Sequence, residues 1–423
     1  MAPPHPKSPV LALGSVIVLA LSLGAAGCGA RSGLSDDLDA GTRDGRVGTR
    51  DAGRADGSRR DAGVVAVVDA GDGTCPARPT LGFRFVPRTI ELPVTPRTVS
   101  LTTLDGVAVL AAVEESAGEL RVTVRRIDAL GDAEPVLLAD FGAGDGAVIG
   151  SGDGMLAVAY ETVGGWLRFV VLRADGTVEW SADEVPPLAI GRIERPLHNG
   201  ATWLVGFTNP YASFGTVDRD GFTESLMFGP VEDRFGVAVD PESGRTFLLY
   251  RVRKDGLLRL LALDRDGGLL DPTRGARIDG YGWEGVPSLG WTASLGAWPL
   301  VVGGFSRDDE GARMRLHRYD VGGLPGPGFS SPARPNEHRW ASTTLPPPGH
   351  ATGYGLVGAE RRDGGWQLWF HGSGEDFVGD SQEIGTSAPS ERFAVDITTN
   401  ACGYLIGWID GSASLHVVTA IPR

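Results

Sequence analysis

Leu156-Ala157-Val158-Ala159-Tyr160, then a polar loop, then Leu167-Arg168-Phe169-Val170-Val171-Leu172, then Ala174-Asp175-Gly176: this stretch decides the fold, because its pattern returns along the chain. Apolar runs this short suit buried strands, and Asp-Gly tolerates the positive φ of a tight hairpin. The first run recurs as Val107-Ala108-Val109-Leu110, Trp203 to Phe207, Phe247 to Tyr250, Leu300 to Val302, Leu356 to Gly358 and Leu405 to Trp408. The turn recurs as Asp128 to Gly131, Arg219-Asp220-Gly221, Arg265-Asp266-Gly267, Val321-Gly322-Gly323 and Gly372-Ser373-Gly374. Units of about 40 to 50 residues are the size of four-stranded propeller blades. Seven of them fill residues 93 to 423, and the last stops one strand short after Leu415 to Ile421. An edge left open there invites pairing, and Phe83 to Leu92, which alternates suitably, can fill it. The sequence predicts an all-β fold: a single β-propeller of seven four-stranded blades, closed by its N-terminal strand. Tandem β-sandwiches, which also place turns every 8 to 12 residues or so, are the alternative.

Composition agrees. Of 423 residues, 63 are Gly, which weakens helices, and Lys occurs only as Lys7 and Lys254. The glycines keep no three-residue period, so collagen is excluded. The net charge of −14 lies almost entirely beyond residue 74, which disfavours nucleic acid and anionic membrane as partners. The expected state is a monomer.

The first 28 residues read as an export leader: Lys7, an apolar run from Val10 to Leu23, then Ala25-Ala26-Gly27 before Cys28. Fourteen apolar residues fall short of the roughly 20 of a transmembrane helix. The string Leu23-Gly24-Ala25-Ala26-Gly27-Cys28 resembles the lipobox of bacterial lipoproteins, with Ala25 where the family usually has Leu. The resemblance implies a diacylglycerol on Cys28. Gly29, in place of the Asp that retains such proteins at the inner membrane, implies an outer-membrane lipoprotein on its periplasmic or surface face, with secretion as the alternative. Residues 29–74 repeat Asp-Ala-Gly at Asp39, Asp51, Asp61 and Asp69 and read as a disordered tether, leaving 75–423 for the propeller. Calcium-loop spacing is missing from the tether. With Cys28 lipidated, Cys75 and Cys402 remain. In an oxidising compartment they are expected to form a disulfide that pins the chain ends at one end of the last blade.

Candidate chemistry is sparse. There is no zincin, nucleophile-elbow or P-loop motif, the seven histidines are scattered, and no metal or cofactor is expected. Gly280 to Gly285 matches the dinucleotide fingerprint by letter, without a helix to follow it. One feature recurs ahead of the innermost strands, an acid beside an arginine: Glu194-Arg195, Glu232-Asp233-Arg234, Glu337-His338-Arg339 and Glu391-Arg392. Arg97 stands at the matching place in the first unit, and Asp145 and Glu284 supply the acid alone. These groups would ring the channel mouth and hold a polar ligand, with Trp283 and Trp340 as stacking surfaces. Alternatively, they form an inter-blade lattice of ion pairs.

Two functions follow. The favoured one is a tethered binding or scaffold module with a protein or glycan ligand, which resembles, in architecture only, the propeller lipoproteins that assist outer-membrane assembly. The alternative is a glycan hydrolase or lyase at the channel mouth, using a carboxylate pair from Glu194, Glu232, Glu337 and Glu391, with His338 beside Glu337 as the one supporting group.

Overall fold

Each of the seven apolar runs is the second strand of a blade, the position buried on both faces. The computed structural model describes Cys75 and residues 82–422, apart from 131–132, 143, 186–191, 210, 229–230, 253–255, 271–275, 279–282, 284–286, 293–296, 333–337, 344–352, 374–381, 389 and 391–392. The expected leader, Cys28 and the tether lie outside the described residues.

Strands are numbered in chain order, beginning with β1 (Phe83–Glu91). Blade 1 is β2 (Pro96–Leu104), β3 (Val107–Ser116), β4 (Glu119–Ile127) and β5 (Val136–Phe141). Blade 2 is β6 (Gly144–Gly152), β7 (Met155–Thr162), β8 (Leu167–Leu172) and β9 (Val178–Val185). Blade 3 opens on a strand broken into β10 (Arg192–Ile193) and β11 (Leu197–His198), followed by β12 (Trp203–Asn209), β13 (Tyr211–Asp218) and β14 (Gly221–Phe228). Blade 4 is β15 (Val231–Val239), β16 (Thr246–Val252), β17 (Leu258–Leu263) and β18 (Ala276–Ile278). Blade 5 is β19 (Ser288–Trp291), β20 (Leu300–Asp308), β21 (Gly311–Tyr319) and β22 (Pro325–Ser330). Blade 6 is β23 (His338–Thr343), β24 (Tyr354–Arg362), β25 (Gly365–Ser373) and β26 (Gln382–Ser387). Blade 7 is β27 (Ala394–Thr399), β28 (Tyr404–Ile409) and β29 (Ser414–Pro422), with β1 as its fourth strand.

Every blade is an antiparallel meander, and the first strands stand side by side around the axis, β2 against both β6 and β27, β15 against β19, and β23 against β27. Closure is as the sequence predicts: β1 pairs with β29 from Phe83↔Pro422 to Glu91↔Ser414. Cys75 and Cys402 form a disulfide with a Cα–Cα separation of 5.5 Å, tying the chain that leads into β1 to the turn between β27 and β28.

Because both faces of a blade are covered by its neighbours, strand sequences here run apolar instead of alternating. In β3 seven consecutive residues, Ala108 to Glu114, are buried. The described residues form seven apolar clusters, each filled by two adjacent blades; Leu204 and Phe214 of blade 3, for example, meet Phe235 and Leu248 of blade 4. The turns between third and fourth strands use the expected glycines, with Gly176 at φ +88° and Gly323 at φ +84°. Aspartates cap them: Asp320 Oδ1 accepts from the amides of Gly322 (2.9 Å) and Leu324 (2.8 Å), and Asp264 Oδ1 from those of Asp266 (3.0 Å) and Gly268 (2.7 Å). Much of the acidity therefore belongs to turn chemistry.

Candidate functional site

Of the recurring acid–arginine positions that the structure describes, Arg97, Asp145 and residues 232–234 lie within the innermost strands β2, β6 and β15, Glu194 and Arg195 lie between β10 and β11, and His338 and Arg339 open β23, instead of standing in the loops before them. In blades 1 to 4 they coincide with irregular pairing to the second strand. Pro96 pairs with Glu114 and Thr98 with Val113, which leaves Arg97 as an extra residue. The register likewise jumps between Gly144 and Ala147, around Asp145, and between Val231 and Phe235, around Glu232, Asp233 and Arg234. In blade 3 the strand breaks between β10 and β11, over Glu194, Arg195 and Pro196. A bulge frees residues from the ladder and re-aims their side chains. In these four blades the sequence recurrence records a bulge or break in the innermost strand, whereas β23 and β27 pair with their second strands without one.

The innermost strands of all seven blades enclose a central cavity of about 310 Å³. Its lining includes Ser100, Ser151, Glu194, Arg195, Trp340 and Asp396. Glycine permits the tight closure beside it. An ideal Cβ on Gly150 would lie 1.9 Å from the Pro196 carbonyl oxygen, so β6 could not approach the blade 3 break with any larger residue.

Inward-facing backbone amides on three innermost strands are satisfied by a side chain of the preceding blade. Ser100 Oγ accepts from Ile149 N (3.1 Å), Glu194 Oε1 from Phe235 N (3.4 Å), and Asp396 Oδ2 from Leu101 N (2.6 Å). Glu194 also pairs with Arg192 at 3.6 Å. Arg195 instead crosses the channel. Its Nη2 lies 2.8 and 2.7 Å from the two carboxylate oxygens of Asp396, linking blade 3 to blade 7, which is not its neighbour. Asp396 Oδ1 additionally accepts from Ile397 N at 2.9 Å.

Of the sequence candidates, Glu194, Arg195 and Trp340 are brought together on the cavity wall. Arg97 pairs with Glu115 of its own blade at 3.0 Å. Trp283 is placed elsewhere: it is buried in the cluster between blades 4 and 5, its ring edge-on to His317, and its carbonyl accepts from Arg251 Nη2 at 2.6 Å. It offers no face to the channel that Trp340 lines, because the residue bridges to Ser306 of β20 and joins the core between blades. Arg339 is exposed on β23. The side chains of Glu232, Arg234 and His338, and the whole of Glu284, Glu337, Glu391 and Arg392, lie outside the described residues. Asp396 is the residue that sequence reasoning missed. Its signal was present: an acid in the middle of Ala394-Val395-Asp396-Ile397-Thr398-Thr399, an innermost strand with no bulge. Among the described residues, no three His, Cys, Asp or Glu side chains are grouped to hold a metal ion.

No protein-family model matches the chain, and no characterised protein matches it in sequence. Among solved structures, BBS1N in complex with ARL6DN is similar over 81% of this chain and 98% of that one, at 12% identity and a TM-score of 0.46. Raptor of Chaetomium thermophilum matches over 81% of this chain and 29% of its own, at 13% identity and a TM-score of 0.46. The SapL1 lectin in complex with alpha methyl fucoside matches over 71% and 98%, at 14% identity and a TM-score of 0.43.

Proposed function

We propose that this chain is an exported lipoprotein, anchored through Cys28 at the outer membrane, whose propeller serves as a binding module with its ligand in the central channel. The observation that supports the site is the cavity of about 310 Å³ with Arg195 and Asp396 meeting inside it. That volume is at the lower end of small-molecule sites and suits one compact ligand. The glycan-cleaving alternative needs a carboxylate at liberty to take up and release a proton. Glu194, the one candidate carboxylate whose side chain is described, is held through Oε1 by Phe235 N and Arg192, and the sequence carries no catalytic motif beside any of the four, which favours binding.

Two measurements test the proposal. Radiolabelled palmitate should enter the full chain and not its Cys28→Ser variant; an unlabelled wild-type chain removes the anchor. A small-molecule thermal-shift screen should give ligands whose effect disappears in Ser342→Trp, which fills the channel. Ligands indifferent to that substitution would move the site elsewhere.

A further inference from the structure

The geometry points to a small molecule bearing a single carboxylate as the channel ligand, a sugar acid being the type. This rests on the channel being the binding site, and adds the ligand's chemistry. Asp396 is saturated: Oδ1 receives Ile397 N and Arg195 Nη2, and Oδ2 receives Leu101 N and Arg195 Nη2. It is a fixed anion whose role toward Arg195 is to aim it. Arg195 commits only Nη2 to that pair. Among the described residues its Nη1 and Nε have no partner, and its side chain is 27% exposed.

Neighbouring hydroxyls are poised the same way. Ser100 Oγ accepts from Ile149 N, and Ser151 Oγ accepts from Thr102 Oγ1 at 3.1 Å, so each has a proton left to give. Both sit close to the pair. Ser100 precedes Leu101, whose amide binds Asp396, and Ser151 follows Gly150, which abuts the carbonyl of Pro196 next to Arg195. Spare capacity beside the Arg195–Asp396 pair is therefore donors, while Glu194, bonded through Oε1, keeps Oε2 as an acceptor, so the complementary ligand brings acceptor oxygens to Arg195 and a hydroxyl to Glu194.

A carboxylate on a guanidinium is the strongest such pairing. Local charges argue against a doubly charged phosphate: Arg195 is balanced by Asp396 and Arg192 by Glu194, so one ligand carboxylate already leaves a net negative charge in the channel, held by hydrogen bonds to Arg195, and a dianion would leave two. Trp340, half-buried, lines the wall while packing against the apolar cluster between blades 5 and 6, and the cavity volume limits the ligand body to about one sugar ring.

The test is calorimetric titration of the full chain, in detergent, with glucuronate, glucose and glucose 1-phosphate. Glucuronate is expected to bind at least about tenfold more tightly than either comparator. Arg195→Gln should lose about tenfold or more of that affinity while still melting cooperatively, and Ser151→Ala, which leaves every charge in place, a few-fold. Glucose binding as well as glucuronate overturns the carboxylate assignment, as does Arg195→Gln binding like wild type, or no binding of glucuronate at millimolar concentration. Glucose binding that Ser342→Trp abolishes would sink this assignment while leaving the channel as the site. Glucuronate binding that survives Ser342→Trp would sink both.

Discussion

Asp396 and Arg195 are paired, yet they are not equivalent residues. Removing Asp396 orphans the amide of Leu101 and leaves a guanidinium without its anion in a partly buried channel. Removing Arg195 leaves a carboxylate still held by two backbone amides. Asp396→Ala is therefore expected to cost about 2–4 kcal/mol and Arg195→Gln about 1 kcal/mol, read from urea unfolding of each variant. Equal costs would mean that the amides, not the guanidinium, do nothing for Asp396. Two buried histidines carry a second residue-scale consequence. Burial pushes His371 down to about 4, and burial with Arg315 alongside does the same for His317. His371 lies flat on Phe329 with ring centroids 3.8 Å apart. Both rings are neutral in the folded protein, whereas in the unfolded chain they protonate near pH 6.5, so protons favour unfolding. Stability is expected to be level above about pH 7 and to fall between about 6.5 and 4, by up to about 3 kcal/mol per ring. Urea unfolding across this range checks it, and His371→Phe, which keeps a ring on Phe329, should remove about half of the loss.

At the scale of the strand, the innermost position of each blade meets two demands, a ladder with its second strand and close approach to the axis. In blades 1 to 4 both are met by inserting residues: Arg97, the Asp145 region, the Glu194–Pro196 break and residues 232–234. Gly150 exposes this constraint. Gly150→Ala would drive a methyl group into the Pro196 carbonyl, and the strand or the break must move. The expected cost is about 1–3 kcal/mol by thermal unfolding, with weaker ligand binding, since the break carries Arg195. Gly154→Ala is the control: an added Cβ there meets nothing within 4 Å, although φ +68° still charges about 1 kcal/mol for the strain. The sequence displayed the acid–arginine recurrence at these bulges. It could not tell a bulge from a loop, because an inserted residue and a longer connection look alike until the register is known.

For the whole molecule, stability depends on closing the ring. Seven apolar interfaces exist only if blade 7 meets blade 1, and Ile90 and Leu92 of the N-terminal segment pack with Leu101, Leu110, Leu405 and Leu415 at that junction. The disulfide removes unfolded-chain freedom over a sequence separation of 327, worth at most about 5 kcal/mol. Cys402→Ser is expected to lower the unfolding midpoint without changing the fold. Deletion through residue 92 should instead leave β29 as an open edge and produce aggregation, visible by light scattering. A monomeric, stable deletion variant would show that the ring closes without β1.

Much of the architecture was legible in the sequence, because the strand runs and Gly turns are local signals that return at near-regular spacing, and the closing strand and the cysteine pair follow from the edge and the thiols those repeats leave unpaired. Their legibility has a physical cause, since burial of both blade faces forces apolar runs and tight turns demand Gly with a capping Asp. The channel was decided only by the tertiary structure. Arg195 and Asp396 are 201 residues apart and belong to blades that are not neighbours in the ring, so no period or motif joins them. Trp283 and Trp340 likewise look alike in the chain, yet one is buried wholly between blades 4 and 5 and the other, packed between blades 5 and 6, also reaches the cavity wall. Which side chains converge on the axis depends on how seven blades close around it, a property of the ring and of no single repeat.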